Sequence, residues 1–274
     1  MNVFSRELRA NAKGTALFAA VLAFFMAVGT VKFTGAESAA GADGGAAMNE
    51  LLSQFPPIVL AVFGIPGGVD LATFDGFYAV LGFYAAVIMA ACAVWLGRSA
   101  VSRELSDGTY EFLFTKPVSR GRVLAEKLAA AVVSLAAMCA VNFASSLAAY
   151  QTLGLSADAT ELIARYTLWL ALLAAFFLGA GAAAAALAAR PETGARVGLA
   201  VVLASYAMSV AYDMFSDSAV AGALRAFSPI RWFAPEDIAA GAFPFEWTAL
   251  CLGLAAALLA LSFWAFSRRD LAAR

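Results

Sequence analysis

Catalysis needs side chains that bond, titrate or ligate, and this sequence is short of them. None of its 274 residues is histidine. Without imidazole there is no Ser-His-Asp or Cys-His nucleophile system, no histidine-held haem and no zinc site with histidine ligands. Cys92, Cys139 and Cys251 are far apart, each inside an apolar run. That placement suits small packed side chains better than a CxxC metal site or a disulfide framework. No G-x-x-x-x-G-K-[ST] run occurs, so the chain has no such backbone cradle for nucleotide phosphates. We therefore expect no catalytic, cofactor-binding or metal-ligating residues, and any ATP used has to be bound by another chain.

One stretch, from Gly97 to Lys127, has residue types arranged for contact. Asp107-Gly108 signals a turn, because glycine tolerates positive φ and aspartate bonds nearby amides. Thr109 can cap a short helix that Pro117 ends, about two turns long. Its Tyr110, Phe112, Leu113 and Phe114 are too apolar for a solvated loop, and Arg103, Glu104, Lys116, Arg120 and Arg122 frame them. Such a ridge could dock a partner, or its rings could fold back against a membrane interface. Composition leaves both open.

The elements that carry this stretch are read from hydropathy. Apolar residues make up 63% of the chain and charged ones 14%, against about 45–50% and about 25% in soluble domains. Six uncharged runs approach the ~20 residues that cross a bilayer as helix: 14–31, 76–96, 128–150, 166–189, 197–212 and 247–266. Only helices satisfy their backbone internally over such runs, and no period-2 barrel pattern is present. The expected fold is an all-α polytopic bundle, one membrane domain over residues 1–274. The first run is read as a retained span, since its 18 residues are long for a leader core and no small-x-small site follows.

Placing the N-terminus inside puts 14 of the 18 Lys and Arg residues on the cytosolic side and 12 of the 19 acids outside. The positive-inside bias thus predicts cytosolic termini and a multi-pass protein of the cytoplasmic membrane. No run holds a charge at its middle, so energy for uphill movement would come from elsewhere. Ser134, Asn142, Ser145, Ser146 and Ser205 are expected to bond between helices or to their own backbone rather than to a substrate. Gly179, Gly181 and residues 182–186 could form a close helix seam, although alanine is dense in every run. Outside, residues 51–65 read as an interfacial or partly re-entrant helix broken by Pro56-Pro57. Phe227, Trp232, Phe233, Phe243 and Phe245 read as an aromatic belt, with an external gate as the sharper alternative.

The series Gly97…Arg103-Glu104…Asp107-Gly108-Thr109-x-Glu111-x-Leu113…Pro117-Val118-Ser119-Arg120…Lys127 resembles the signature loop of the type-two permeases of ATP-binding-cassette (ABC) exporters. It departs at Arg103, where a second Glu is common, and at Phe114, where Leu is common. Phe4-Ser-Arg-Glu7-Leu8, residues 49–57, Phe63-Gly64, Ser228-Pro229 and the ending Phe266-Ser-Arg268-Arg269-Asp270-Leu271 resemble further family segments. The resemblance implies a permease subunit moving an unidentified substrate, paired with a second copy or paralogue and with ABC ATPase subunits. It implies contact with lipids and none with nucleic acid. Glu104, Asp107, Gly108, Thr109, Tyr110, Glu111, Phe112, Leu113, Phe114, Pro117 and Arg120 would form the ATPase-coupling element. Arg190, Glu192 and Arg196 would form a second, smaller cytosolic contact, or else a solvated basic turn. The alternatives are a membrane scaffold or force-transmitting assembly factor docked to an ATPase, and a channel or facilitator without one.

Overall fold

The computed structural model describes residues 3–40, 50–65, 70–71, 73–106, 119–153, 159–233, 237–238, 241 and 244–268, with the side chains of the first helix described through Phe33. Among the described residues all regular structure is helical. The helices are α1 (Val3–Ala40), α2 (Pro57–Val62), α3 (Phe74–Ser106), α4 (Arg120–Thr152), α5 (Thr160–Leu187), α6 (Pro191–Met214), α7 (Ala221–Ala226) and α8 (Phe245–Arg268), with a 3-10 turn at Pro229–Arg231. Six of them, α1, α3, α4, α5, α6 and α8, are long and apolar enough to cross a membrane.

The helices outrun the apolar runs. α1 begins at Val3 rather than at residue 14, α3 continues to Ser106 rather than stopping at residue 96, and α4 begins at Arg120 rather than at residue 128. Each extension is charged and adds roughly 12–17 Å at 1.5 Å per residue. The extensions stay helical because their charges pair with one another. The family-like segment at Phe4–Leu8 is therefore continuous with the first span. At the start of α4, Ser119 is the N-cap and its hydroxyl accepts from the Arg122 amide at 3.4 Å. Pro191 opens α6 in the first turn, where a helix has no use for that N–H.

α3 and α5 form the centre. Of their most apolar windows 67% and 72% is buried, against 22% for α1 and for α6. α1 lies along α4, while α3 and α8 both lie along α5. Glycine makes the central approach possible. A methyl on Gly97 would collide with the Leu178 carbonyl and stand 2.8 Å from the Ala182 nitrogen, and one on Gly181 would stand 2.8 Å from the Val94 Cα. Gly179 faces the Ala255 carbonyl of α8 in the same way, at 3.1 Å. The small-residue seam thus exists, centred on Gly97 and Gly181. On the periphery Leu17, Phe24, Leu199, Leu203 and Trp264 are exposed, where acyl chains would cover them.

Several polar groups of the spans bond within the protein. Tyr78 donates to Ser146 at 2.9 Å and the Asn142 amide donates to Thr167 at 3.2 Å, while Ser134 bonds the Ala130 carbonyl and Ser145 the Asn142 carbonyl. α2 leans on α6, where the Tyr206 hydroxyl donates to the Val62 carbonyl at 2.7 Å, and its Ile58 and Val62 remain exposed.

Candidate functional site

Six polar side chains converge where α1 starts, α3 ends and α4 starts. Arg6 of α1 donates to Glu104 Oε1 of α3 at 2.6 Å, and Arg103 of α3 donates to Glu7 Oε1 of α1 at 2.8 Å. The two helices thus exchange arginine–carboxylate pairs in a crossed pattern. Arg103 also donates to Asn11 Oδ1. Lys127 of α4 enters between them, bonded to Glu104 Oε2 and 3.9 Å from Glu7 Oε2. Glu7 and Lys127 are each 1% exposed. Charges this deep are tolerated only when paired, and stripping one partner from such a pair costs about 3–5 kcal/mol. The network is therefore a three-helix clamp rather than a set of surface contacts.

The clamp brackets the segment expected to dock. Asp107, Gly108, Thr109, Tyr110, Glu111, Phe112, Leu113, Phe114 and Pro117 lie outside the described residues. Glu104 and Arg120 flank them, and Glu104 points into the bundle instead of flanking an exposed ridge. Arg190, Glu192 and Arg196 are all exposed, but only Arg190 precedes α6, as its N-cap; Glu192 and Arg196 stand within the first turns of that helix, whose Thr193 and Gly194 amides bond the Arg190 carbonyl. Sequence reasoning missed Glu7, Asn11, Arg103 and Lys127 as one group. The available signal was the departure at Arg103, since a glutamate there would face Glu7 with a like charge.

A second buried ion pair marks the opposite end. After α7 the chain turns back into the bundle. Ser228 donates to the Ser205 carbonyl at 2.9 Å, the Ile230 amide to the Ser205 hydroxyl at 3.3 Å, and Arg231 Nε to Ser209 at 2.9 Å. Arg231 also pairs with Asp213 and lies 5.6 Å from the Phe83 ring centroid. Trp232 and Phe233 are 1% exposed, Trp232 meeting Phe176 edge-on at 5.1 Å. These two rings are core, not an aromatic belt. Phe227 and Phe245 are exposed as a belt requires, and Phe243 lies outside the described residues.

A helical bundle with six candidate spans, an ionic clamp at one end and a re-entrant strap at the other defines a polytopic membrane protein with no metal-binding cluster among the described residues. The family model for ABC-2 family transporter proteins matches residues 1–271, and the chain belongs to that family. It is accordingly a membrane permease component of an ABC transporter and not itself catalytic, ATP hydrolysis residing in a separate subunit. No match to the chain emerges from comparison with curated proteins.

Proposed function

We propose that this chain is the permease subunit of an ATP-driven exporter of the cytoplasmic membrane, with the clamped end and both termini cytosolic. It works beside a second permease copy or a paralogue. The Asp107–Pro117 segment, with Glu104 and Arg120 at its flanks, meets the ABC ATPase, and Arg190, Glu192 and Arg196 provide the smaller contact. One observation carries this reading. Glu104 and Lys127, on either side of the segment, are bonded to each other within a network that also holds α1. A displacement of the segment is therefore delivered to three helices together. ATP then drives the permease only to the extent that it favours one arrangement of the docked pair.

The test is co-purification and ATPase activity with the Phe112→Ala/Leu113→Ala double variant, with Ser156→Ala as control. Docked ridges are anchored by a few apolar side chains, each often worth about 2 kcal/mol or more. The double variant should lose the partner while inserting normally in the membrane. Retention of both partner and coupled hydrolysis would place these rings against the lipid interface and overturn the docking assignment.

A further inference from the structure

The clamp has a symmetry that its occupancy breaks. Each carboxylate accepts an arginine of the other helix through Oε1, Arg6 on Glu104 and Arg103 on Glu7, and each turns Oε2 toward Lys127. Lys127 bonds only one of them. Glu7 Oε2 is buried and has no hydrogen-bond partner among the described residues, and it stands 3.9 Å from the Lys127 ammonium. A charge-assisted N–H···O bond forms at about 2.8 Å, so closure on Glu7 requires a shift of only about 1 Å. Helix shifts of that size are ordinary in switching proteins.

We propose that Lys127 is a two-position switch, exchanging Glu104 of α3 for Glu7 of α1 as the start of α4 moves. A buried ammonium that had to leave its only partner would make such movement costly. Two acceptors keep it paired at both ends of the stroke, so α4 can slide between α3 and α1 without stranding a charge. The arginines hold the carboxylates in place and do not move. Lys127, Glu7 and Glu104 are thus positioning residues for the coupling proposed above; the switch rests on that reading for its purpose, but its geometry can be tested without the ATPase.

The experiment uses the full chain in nanodiscs with Cys92, Cys139 and Cys251 replaced by alanine and a trifluoromethyl tag on Ala125→Cys, an exposed position near the start of α4. Fluorine NMR reads the populations of its two environments. Glu104→Gln and Glu7→Gln each remove one charged acceptor yet keep an oxygen for the partnering arginine. Glu104→Gln should move the population ratio toward the minor environment by about tenfold, the scale of one charged hydrogen bond. Glu7→Gln should move it the other way. Glu104→Asp, which retracts the charge by one methylene, should shift it in the same sense as Glu104→Gln and serves if that variant does not fold. Shifts in the same direction for both glutamates, or none, would make the network a static brace and overturn the switch. Partner capture by the Phe112/Leu113 variant is read separately, so failure of docking and failure of the switch are distinguishable.

Discussion

Gly97→Ala is the sharpest test of the central packing. Its added methyl would meet backbone atoms of α5, the Leu178 carbonyl and the Ala182 nitrogen, the latter at 2.8 Å. That is roughly 0.6 Å inside the 3.4 Å at which ordinary contact begins. Backbone cannot rotate aside as a side chain can, so α3 and α5 must part along their most buried seam. Overpacking of this kind costs about 1–3 kcal/mol, and the better helix propensity of alanine returns up to about 1 kcal/mol. A net loss of up to about 3 kcal/mol corresponds to a melting temperature lower by up to about 12 °C for a chain near this size. The assay is thermal unfolding in nanodiscs followed by a thiol-reactive dye, with fully buried Cys92 of α3 as reporter. Gly253→Ala, where nothing lies within 4 Å of the new methyl, is the control and should melt at the same temperature or higher. If Gly97→Ala melts like Gly253→Ala, the seam is not close-packed and the rigid-centre argument fails.

Arg231→Met should remove the guanidinium paired with Asp213 and lower stability by about 3–5 kcal/mol, with most of the loss recovered in Arg231→Met/Asp213→Leu, measured by the same melt. Single cysteines at Ser119 and Ala42, in a background without native cysteine, should react with an impermeant maleimide from opposite sides of the membrane; reaction from one side would overturn the proposed orientation. Ser119→Ala should cost about 0.5–1 kcal/mol through loss of the α4 cap, read as earlier fraying in hydrogen exchange at Arg122 and Val123.

The six spans were legible because a bilayer demands uninterrupted apolar length, and runs such as 166–189 announce themselves. Their ends were not legible. Arg98, Arg103, Arg120 and Lys127 read as loop when each is judged alone, while in the fold Arg103 and Lys127 pair with carboxylates of other helices. Lys127 finds Glu104 across 23 residues, and Arg6 finds Glu104 across 98. No local pattern encodes either meeting. The seam at Gly97 and Gly181 was obscured for a different reason, since small residues fill every span and only the facing backbone shows which pair is in contact. At the end away from the clamp, proline, arginine and aromatics at 229–233 carry the composition of a membrane belt. What buries them is the hydroxyl and carboxylate partners spaced along another helix.

Those partners have a consequence for how the chain is made. Ser205, Ser209 and Asp213 recur every fourth residue, so they form one polar stripe down α6. α6 is also the least apolar of the six candidate spans. During synthesis it reaches the insertion machinery before Arg231 exists, with its hydroxyls and carboxylate still unanswered. The strap that follows docks Ser228, Ile230 and Arg231 onto the stripe. A chain stopped after Met214 should leave α6 slipping back out of the bilayer, and one extended past Phe233 should keep it in. The groups that answer the polar stripe of α6 are thus all translated after it.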